Sequence, residues 1–421
     1  MMTIKKHDRR RSFHRGLLPA LAILAVGLSG CLEDDEPIAP IDPDPYDGPA
    51  LFERYVALGN SITAGFQSGG LHVELQDDAY PVLLAEKAEA PFSIPGIQYP
   101  GCPVPLESVL PPTLISDTEL DASECRLLPV DPEIQNLAVP GAAVADLSNP
   151  LWVGGGLHAL LLGGRTQLGL LAENGASLVS AWVGNNDALA AGLTGEPALL
   201  TPVADFQAAY DAVVSAIAAS GAQDAILIGV ANPVIVPALQ PGAFFWASAQ
   251  EGSPFASLLE VDNSCAPTAA GGARLVSFLT VTEQLAATGG PVVINCSADA
   301  PFVLTDEEMV AIGTRVAEFN AYIEAQADAN GWSFVDPTDL LGPALGDPDL
   351  IRKCQGLATA ATPEEFAQAI ETTCPGPAAP NFFGTYFSLD GVHPSATAHA
   401  VVANAMAALL NQKHGLSLPV D

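Results

Sequence analysis

The sequence predicts an α/β protein built on a parallel sheet with helices on both faces. Two patterns predict it: short apolar runs that stop at Gly or Asn-Pro, and amphipathic stretches of helical period. From residue 52 onward these two patterns alternate along the chain. The first run is Tyr55-Val56-Ala57-Leu58, stopped by Gly59. Ser177 to Val183 ends at Gly184, and Ala225 to Ala231 ends before Asn232-Pro233. Ser333-Phe334-Val335 completes the set. Between them, Asp205 to Ser220 places Phe206, Tyr210, Val213, Val214 and Ile217 on one side and stops at Gly221. Thr305-Asp306-Glu307-Glu308 is a capping box. Met309, Ile312, Val316, Phe319 and Ile323 follow it at helical spacing, and Asn330-Gly331 ends that helix. A last helix starts at Ser395 and is expected to bury Val401, Val402, Ala405, Met406, Leu409 and Leu410.

Composition bounds the rest. The chain has 421 residues, is 49% hydrophobic and only 15% charged, which excludes a wholly disordered protein. Its net charge of −33 argues against nucleic-acid partners, because binding phosphates needs clustered cations. Residues 1–30 differ from the remainder. Lys5, Lys6, Arg9, Arg10, Arg11 and Arg15 form a basic head, followed by an apolar run from Leu17 to Leu28 and by Leu28-Ser29-Gly30-Cys31. That order is an export signal rather than a membrane span. Its ending looks like a lipobox, with Cys31 as the lipidated N-terminus of the mature chain; a plain signal peptide with Cys31 incidental is the other reading. Cleavage there leaves 9 basic against 47 acidic residues. Residues 31–50 are acidic and Pro-rich, cannot bury a core, and read as a tether. A folded domain over 51–415 then carries insertions at about 100–135, 232–300 and 343–386. The protein is thus expected in the cell envelope, exported and held by its lipid.

Six further cysteines fall in those insertions as three sequence-near pairs: Cys102 and Cys125, Cys265 and Cys296, Cys354 and Cys374. Export exposes them to an oxidising compartment, and pairing between neighbours is expected among the fifteen possible connectivities. No C-x-x-C motif or Cys/His cluster has zinc spacing, so no zinc site is expected.

Ligands of a doubly wound sheet sit beyond the carboxyl ends of its strands. There the sequence places Gly59-Asn60-Ser61, Asn136 to Gly141, Gly184-Asn185-Asn186-Asp187 and Asp390-Gly391-Val392-His393-Pro394. A serine hydroxyl needs an adjacent base, imidazole suits that role near neutral pH, and a carboxylate must orient the imidazole. Asp390 and His393, three residues apart, meet without help from distant chain. The N–H groups of Ser61 and Gly141 and the side-chain amide of Asn186 are candidate oxyanion donors. Each motif alone also fits an ordinary turn or helix cap; together, each at an element's end, they fit acyl transfer.

These blocks, in this order, resemble the SGNH/GDSL hydrolases over roughly residues 52–412. The resemblance implies a flavodoxin-like three-layer α/β/α fold and ester hydrolysis without metal or cofactor. It implies Ser61 as nucleophile, His393 as base and Asp390 as orienting acid, with Ser61, Gly141 and Asn186 forming the oxyanion hole. One departure is Asn60, where the family usually carries aspartate before the serine. The substrate class expected is a small-molecule, lipid or acylated-sugar ester. Trp152, Leu160 to Leu162, Phe244, Phe245 and Trp246 are candidates for an acyl pocket or for plain core. A non-catalytic binding lipoprotein that keeps the fold is the competing reading, motivated by Asn60 and the insertions. His72, His158, His399 and His414 read as packing or surface residues.

Overall fold

The computed structural model describes residues 46–420 apart from 110–111, 128, 254, 355, 358–359, 361 and 377–380. Cys31, residues 1–30 and most of the proposed tether lie outside the described residues. The folded unit starts at Tyr46, whose hydroxyl donates to the Ala88 carbonyl, so the last residues expected as tether are part of the domain.

Four parallel strands form the central sheet: β1 (Tyr55–Gly59), β2 (Leu178–Trp182), β3 (Asp224–Ile228) and β4 (Ser333–Val335), in the order β1-β2-β3-β4. Every residue of the first three is buried, which is why they read as continuous apolar runs rather than alternating ones. Residues 135–139 run along the free edge of β1. Ala57 N–H donates to Gln135, while Leu137 and Val139 N–H donate to Ala57 and Gly59. In chain order this is the 2-1-3-4-5 arrangement of flavodoxin-like folds, whose switch point lies between β1 and β2. The register pairs Gly59 with Trp182, Trp182 with Ile228 and Ile228 with Val335. All four strands therefore end in one row, and whatever follows them shares one face.

Helices cover both sides. On one, helix Val203–Ala219 buries Phe206, Tyr210, Val213, Val214 and Ile217. It packs against helix Asp306–Asn330, where Ile312, Val316, Phe319 and Ile323 are buried and Met309 only partly. The Phe206 and Phe319 rings stack with centroids 3.8 Å apart. The Thr305 capping box forms, with Glu308 returning its carboxylate to the Thr305 N–H. On the other side, helices Tyr80–Lys87 and Ala396–His414 pack together. Here the expected face is rotated. Val402, Met406 and Leu410 are buried with Ala398, His399, Ala403 and Ala407, while Val401, Ala405 and Leu409 are only half-buried. The face turns towards Tyr80, whose N–H donates to His399 Nδ1 and whose ring stacks on that imidazole.

The disulfides join Cys102 to Cys125, Cys265 to Cys296 and Cys354 to Cys374, the neighbour pairing expected. The segments holding them are more regular than their Pro- and Gly-rich sequence suggests. Leu106–Val109 pairs antiparallel with Pro112–Leu114. A three-stranded sheet joins Leu239–Pro241, Leu275–Ser277 and Val303–Leu304, followed by helix Phe278–Thr288. Strands of two or three residues are too short to carry a readable period.

Candidate active site

β1 delivers the first group. Asn60 follows Gly59, and its Oδ1 accepts the N–H of Ile62 at 3.1 Å, capping the one-turn helix Ser61–Ala64. Gly65 ends that turn at φ 81°, with Gln76 backbone 2.8 Å from where a Cβ would sit. Gln167 braces the strand end from the side, its amide bonded to both the N–H and the carbonyl of Gly59. Ser61 thus stands at the first N–H of a helix, a group with no intrahelical acceptor, on a backbone held from three directions.

The last turn of the chain before its final helix supplies the partner. His393 Nε2 lies 2.8 Å from Ser61 Oγ, and His393 Nδ1 lies 2.8 Å from Asp390 Oδ2. With a carboxylate at Nδ1, that nitrogen carries the proton and Nε2 is left to accept from the hydroxyl. Asp390 is buried and richly bonded. Oδ1 accepts from the N–H groups of Val392 and His393 and from Ser388 Oγ, while Oδ2 also accepts from Gly69 N–H at 2.8 Å. Burial alone would raise its carboxyl, but the His393 charge and the donors of His393 and Val392 outweigh burial and hold it at about 2. Phe66 packs on the imidazole with ring centroids 4.9 Å apart.

The third contribution comes from the β1 edge and the end of β2. Gly141 is exposed with φ 84°, a conformation L side chains rarely adopt. Asn186 opens the helix after β2, and its Nδ2 donates to the Ala142 carbonyl at 2.9 Å. Asp187, buried, accepts the Val144 N–H at 3.0 Å. The Gly184–Asp187 block therefore ties down the loop that carries Gly141. Burial raises the Asp187 carboxyl above its usual value, partly offset by the Val144 bond. Asn136 anchors the same segment to the serine turn, its Nδ2 donating to the Thr63 carbonyl.

Ser61, Asp390 and His393 are thus bonded in series, and Asn186, at the start of the helix after β2, is tied through the Ala142 carbonyl to the loop that carries Gly141. The acyl-pocket candidates divide differently. Leu161, Leu162, Phe244 and Phe245 are core, Leu160 and Trp246 pack partly buried against it, and only Trp152 stands beside Gly141. His72, His158 and His399 are buried, and His414 pairs with Asp224. Sequence reasoning missed Ser68, Gly69, Ser388, Phe66 and Gln167. The Ser68 and Ser388 hydroxyls each accept a backbone N–H from across the fold: Ser68 N–H donates to Ser388 Oγ, and Leu389 N–H to Ser68 Oγ. No spacing marks partners some 320 residues apart. Among the described residues, no group of three His, Cys, Asp or Glu side chains is placed to hold a metal ion.

Comparison with solved structures finds long alignments of low similarity. An extracellular lipase from Streptomyces rimosus is 15% identical, over 84% of this chain and 98% of that one, with a TM-score of 0.34. A phospholipase A1 from Streptomyces albidoflavus is 17% identical, over 85% and 98%, with the same TM-score. A mutant acetyl-xylooligosaccharide esterase from Geobacillus is 12% identical, over 86% and 94%, also at 0.34. No curated protein sequence matches the chain. The model of the GDSL-like lipase/acylhydrolase family, however, matches residues 55–406, a span that contains every strand of the central sheet and all four motif blocks; the chain belongs to that family and is a carboxylic ester hydrolase.

Proposed function

We propose that Ser61, His393 and Asp390 act as a catalytic triad on carboxylic esters outside the cytoplasm. The observation that carries this reading is the unbroken hydrogen-bond chain from Ser61 Oγ through the imidazole to Asp390. Ser61 Oγ attacks the ester carbonyl as His393 Nε2 takes its proton. The carbonyl oxygen becomes an oxyanion, held by the N–H groups of Ser61 and Gly141 and the second N–H of the Asn186 amide. The bond to the alcohol then breaks, His393 gives its proton to the departing oxygen, and water repeats the sequence to free the acid. Asp390, kept ionised by its donors, holds the imidazole in the required tautomer and stabilises the cation.

The test is a fluorophosphonate probe together with p-nitrophenyl esters of several chain lengths. Wild type should label and turn over; Ser61→Ala should do neither. A Ser61→Ala protein that still hydrolyses the esters removes Ser61 from the reaction.

Export is supported by the three disulfides. The residue 1–30 pattern and the Leu28-Ser29-Gly30-Cys31 sequence support lipid anchoring at Cys31. Cys31→Ser should move the protein from the membrane fraction to the soluble one; retention there counts against the anchor.

A further inference from the structure

Beside the loop that carries Gly141 stands a tip that none of the motif blocks builds. Leu151 is 86% exposed and Val153 68%, and Trp152 between them is partly buried. Asn149 shapes the turn: its Oδ1 accepts the Leu151 N–H at 3.0 Å and its carbonyl the Trp152 N–H at 3.3 Å. The indole lies over Gly154, where a Cβ would meet its Cη2 at 2.8 Å, and its Cζ2 lies 3.9 Å from the Cβ position of Gly141. The chain thus turns the tryptophan towards the site and its two neighbours out to solvent. Gly154-Gly155-Gly156 follow and keep the tip narrow.

Charge is missing from this stretch. A chain with 48 acidic residues carries no Asp, Glu, Lys or Arg between Asp146 and Arg165. Both flanking charges are occupied: Asp146 accepts the Ala143 N–H, and Arg165 pairs with Glu173. Core packing does not account for Leu151 and Val153, which lie in water. A stable protein interface buries about 800 Å² per partner, far more than two side chains supply. A narrow apolar tip beside a tryptophan suits a lipid surface instead, where aliphatic side chains enter the hydrocarbon and indole favours the headgroup level. The net charge of −33 restricts that surface to uncharged or zwitterionic lipid, because anionic lipid repels the chain.

We infer that Leu151 and Val153 dip into a zwitterionic lipid surface and hold the Gly141 side of the site against it. Esters packed in that surface then reach the site without first crossing water as free molecules. The contact itself stands on the tip alone; its service to catalysis rests on the triad reading above.

The experiment uses the full chain with Cys31→Ser, which removes any lipid anchor, and phosphatidylcholine vesicles. Binding is read by co-sedimentation with Ser61→Ala added, so that no ester is consumed. Leu151→Ser/Val153→Ser should need at least about tenfold more lipid for half-binding, from the apolar area lost. Val310→Ser, at a residue 68% exposed on helix Asp306–Asn330, should need no more than the parent. Phosphatidylglycerol vesicles should bind more weakly than phosphatidylcholine. With Ser61 restored, the double variant should lose at least about tenfold in kcat/KM on p-nitrophenyl palmitate dispersed in the vesicles. On soluble p-nitrophenyl acetate it should match the parent. No binding by the parent, equal binding by the double variant, a matching loss in Val310→Ser, tighter binding to phosphatidylglycerol or equal losses on both esters overturns the lipid contact. A dimer in solution that the double variant splits overturns it too. Vesicle binding with no turnover and no fluorophosphonate labelling overturns the triad reading and leaves the contact standing.

Discussion

The backbone N–H of Gly69 and the imidazole of His393 converge on the same Asp390 oxygen, each at 2.8 Å. Gly69 follows the serine turn and Asp390 precedes the last helix, so this one atom joins the two ends of the folded chain. Two bonds beside it reinforce the junction: Ser68 N–H donates to Ser388 Oγ, and Leu389 N–H donates to Ser68 Oγ.

Asp390→Asn should therefore lower kcat by about 10⁴, because an amide at this position favours the wrong imidazole tautomer. Ser388→Ala removes one of several donors to the same carboxylate and should cost no more than about tenfold, since Asp390 keeps three backbone N–H donors. Steady-state turnover of p-nitrophenyl acetate reads both. Equal losses in the two variants would contradict this ranking.

Asn186→Ala should lower kcat by about 10²–10³, the usual range for one oxyanion donor. The same change also removes the bond to the Ala142 carbonyl. Thermal unfolding measured alongside separates the two effects, and a variant at full speed would take Asn186 out of the chemistry.

Asn60→Asp should keep activity within about tenfold. The carboxylate can accept the Ile62 N–H as Asn60 Oδ1 does, at a helix N-terminus that favours negative charge. It also removes the Asn60 Nδ2 donor, which is buried without a hydrogen-bond partner among the described residues. Asn60→Ala, which loses the cap, should cost about 1 kcal/mol of stability by chemical denaturation. Complete inactivation of Asn60→Asp would show that the position does more than cap the turn.

Acid should destabilise the fold through His399. Its Nδ1 accepts the Tyr80 N–H, and burial lowers its pKa to about 3 from an ordinary 6.5. The unfolded chain therefore binds a proton that the folded chain refuses between those values. Stability from this group is complete above pH 6.5 and falls by about 1.4 kcal/mol per unit as pH drops towards 3. Asp390 acts lower: its contribution is present above pH 3.8, the ordinary value, and disappears as pH falls through about 2. Thermal midpoints from pH 7.5 to 4 should fall more steeply for wild type than for His399→Gln. Parallel curves would rule out His399 as the cause.

Much of the fold was readable from local pattern. β1, β2, β3 and β4 lie within a residue or two of where apolar runs and their Gly or Asn-Pro stops place them, apart from the C-terminal end of β3. Helix Val203–Ala219 buries the five residues its period selects. These features depend on neighbours in sequence. The final helix shows where that fails, because its buried face includes His399, which accepts the N–H of Tyr80 from a helix 319 residues earlier.

By itself, the sequence determined which residue types stand at the ends of which strands, and which cysteines lie close enough to pair. Those are short-range properties of composition and spacing. Only the tertiary structure decided that Ser61 Oγ meets His393 Nε2 and that Gly69 and Ser388 both donate to Asp390. Each of these unites segments far apart in the chain. The flush register of the four parallel strands is the physical reason: it brings the ends of the central strands to one face, and no periodicity within any single segment encodes that alignment.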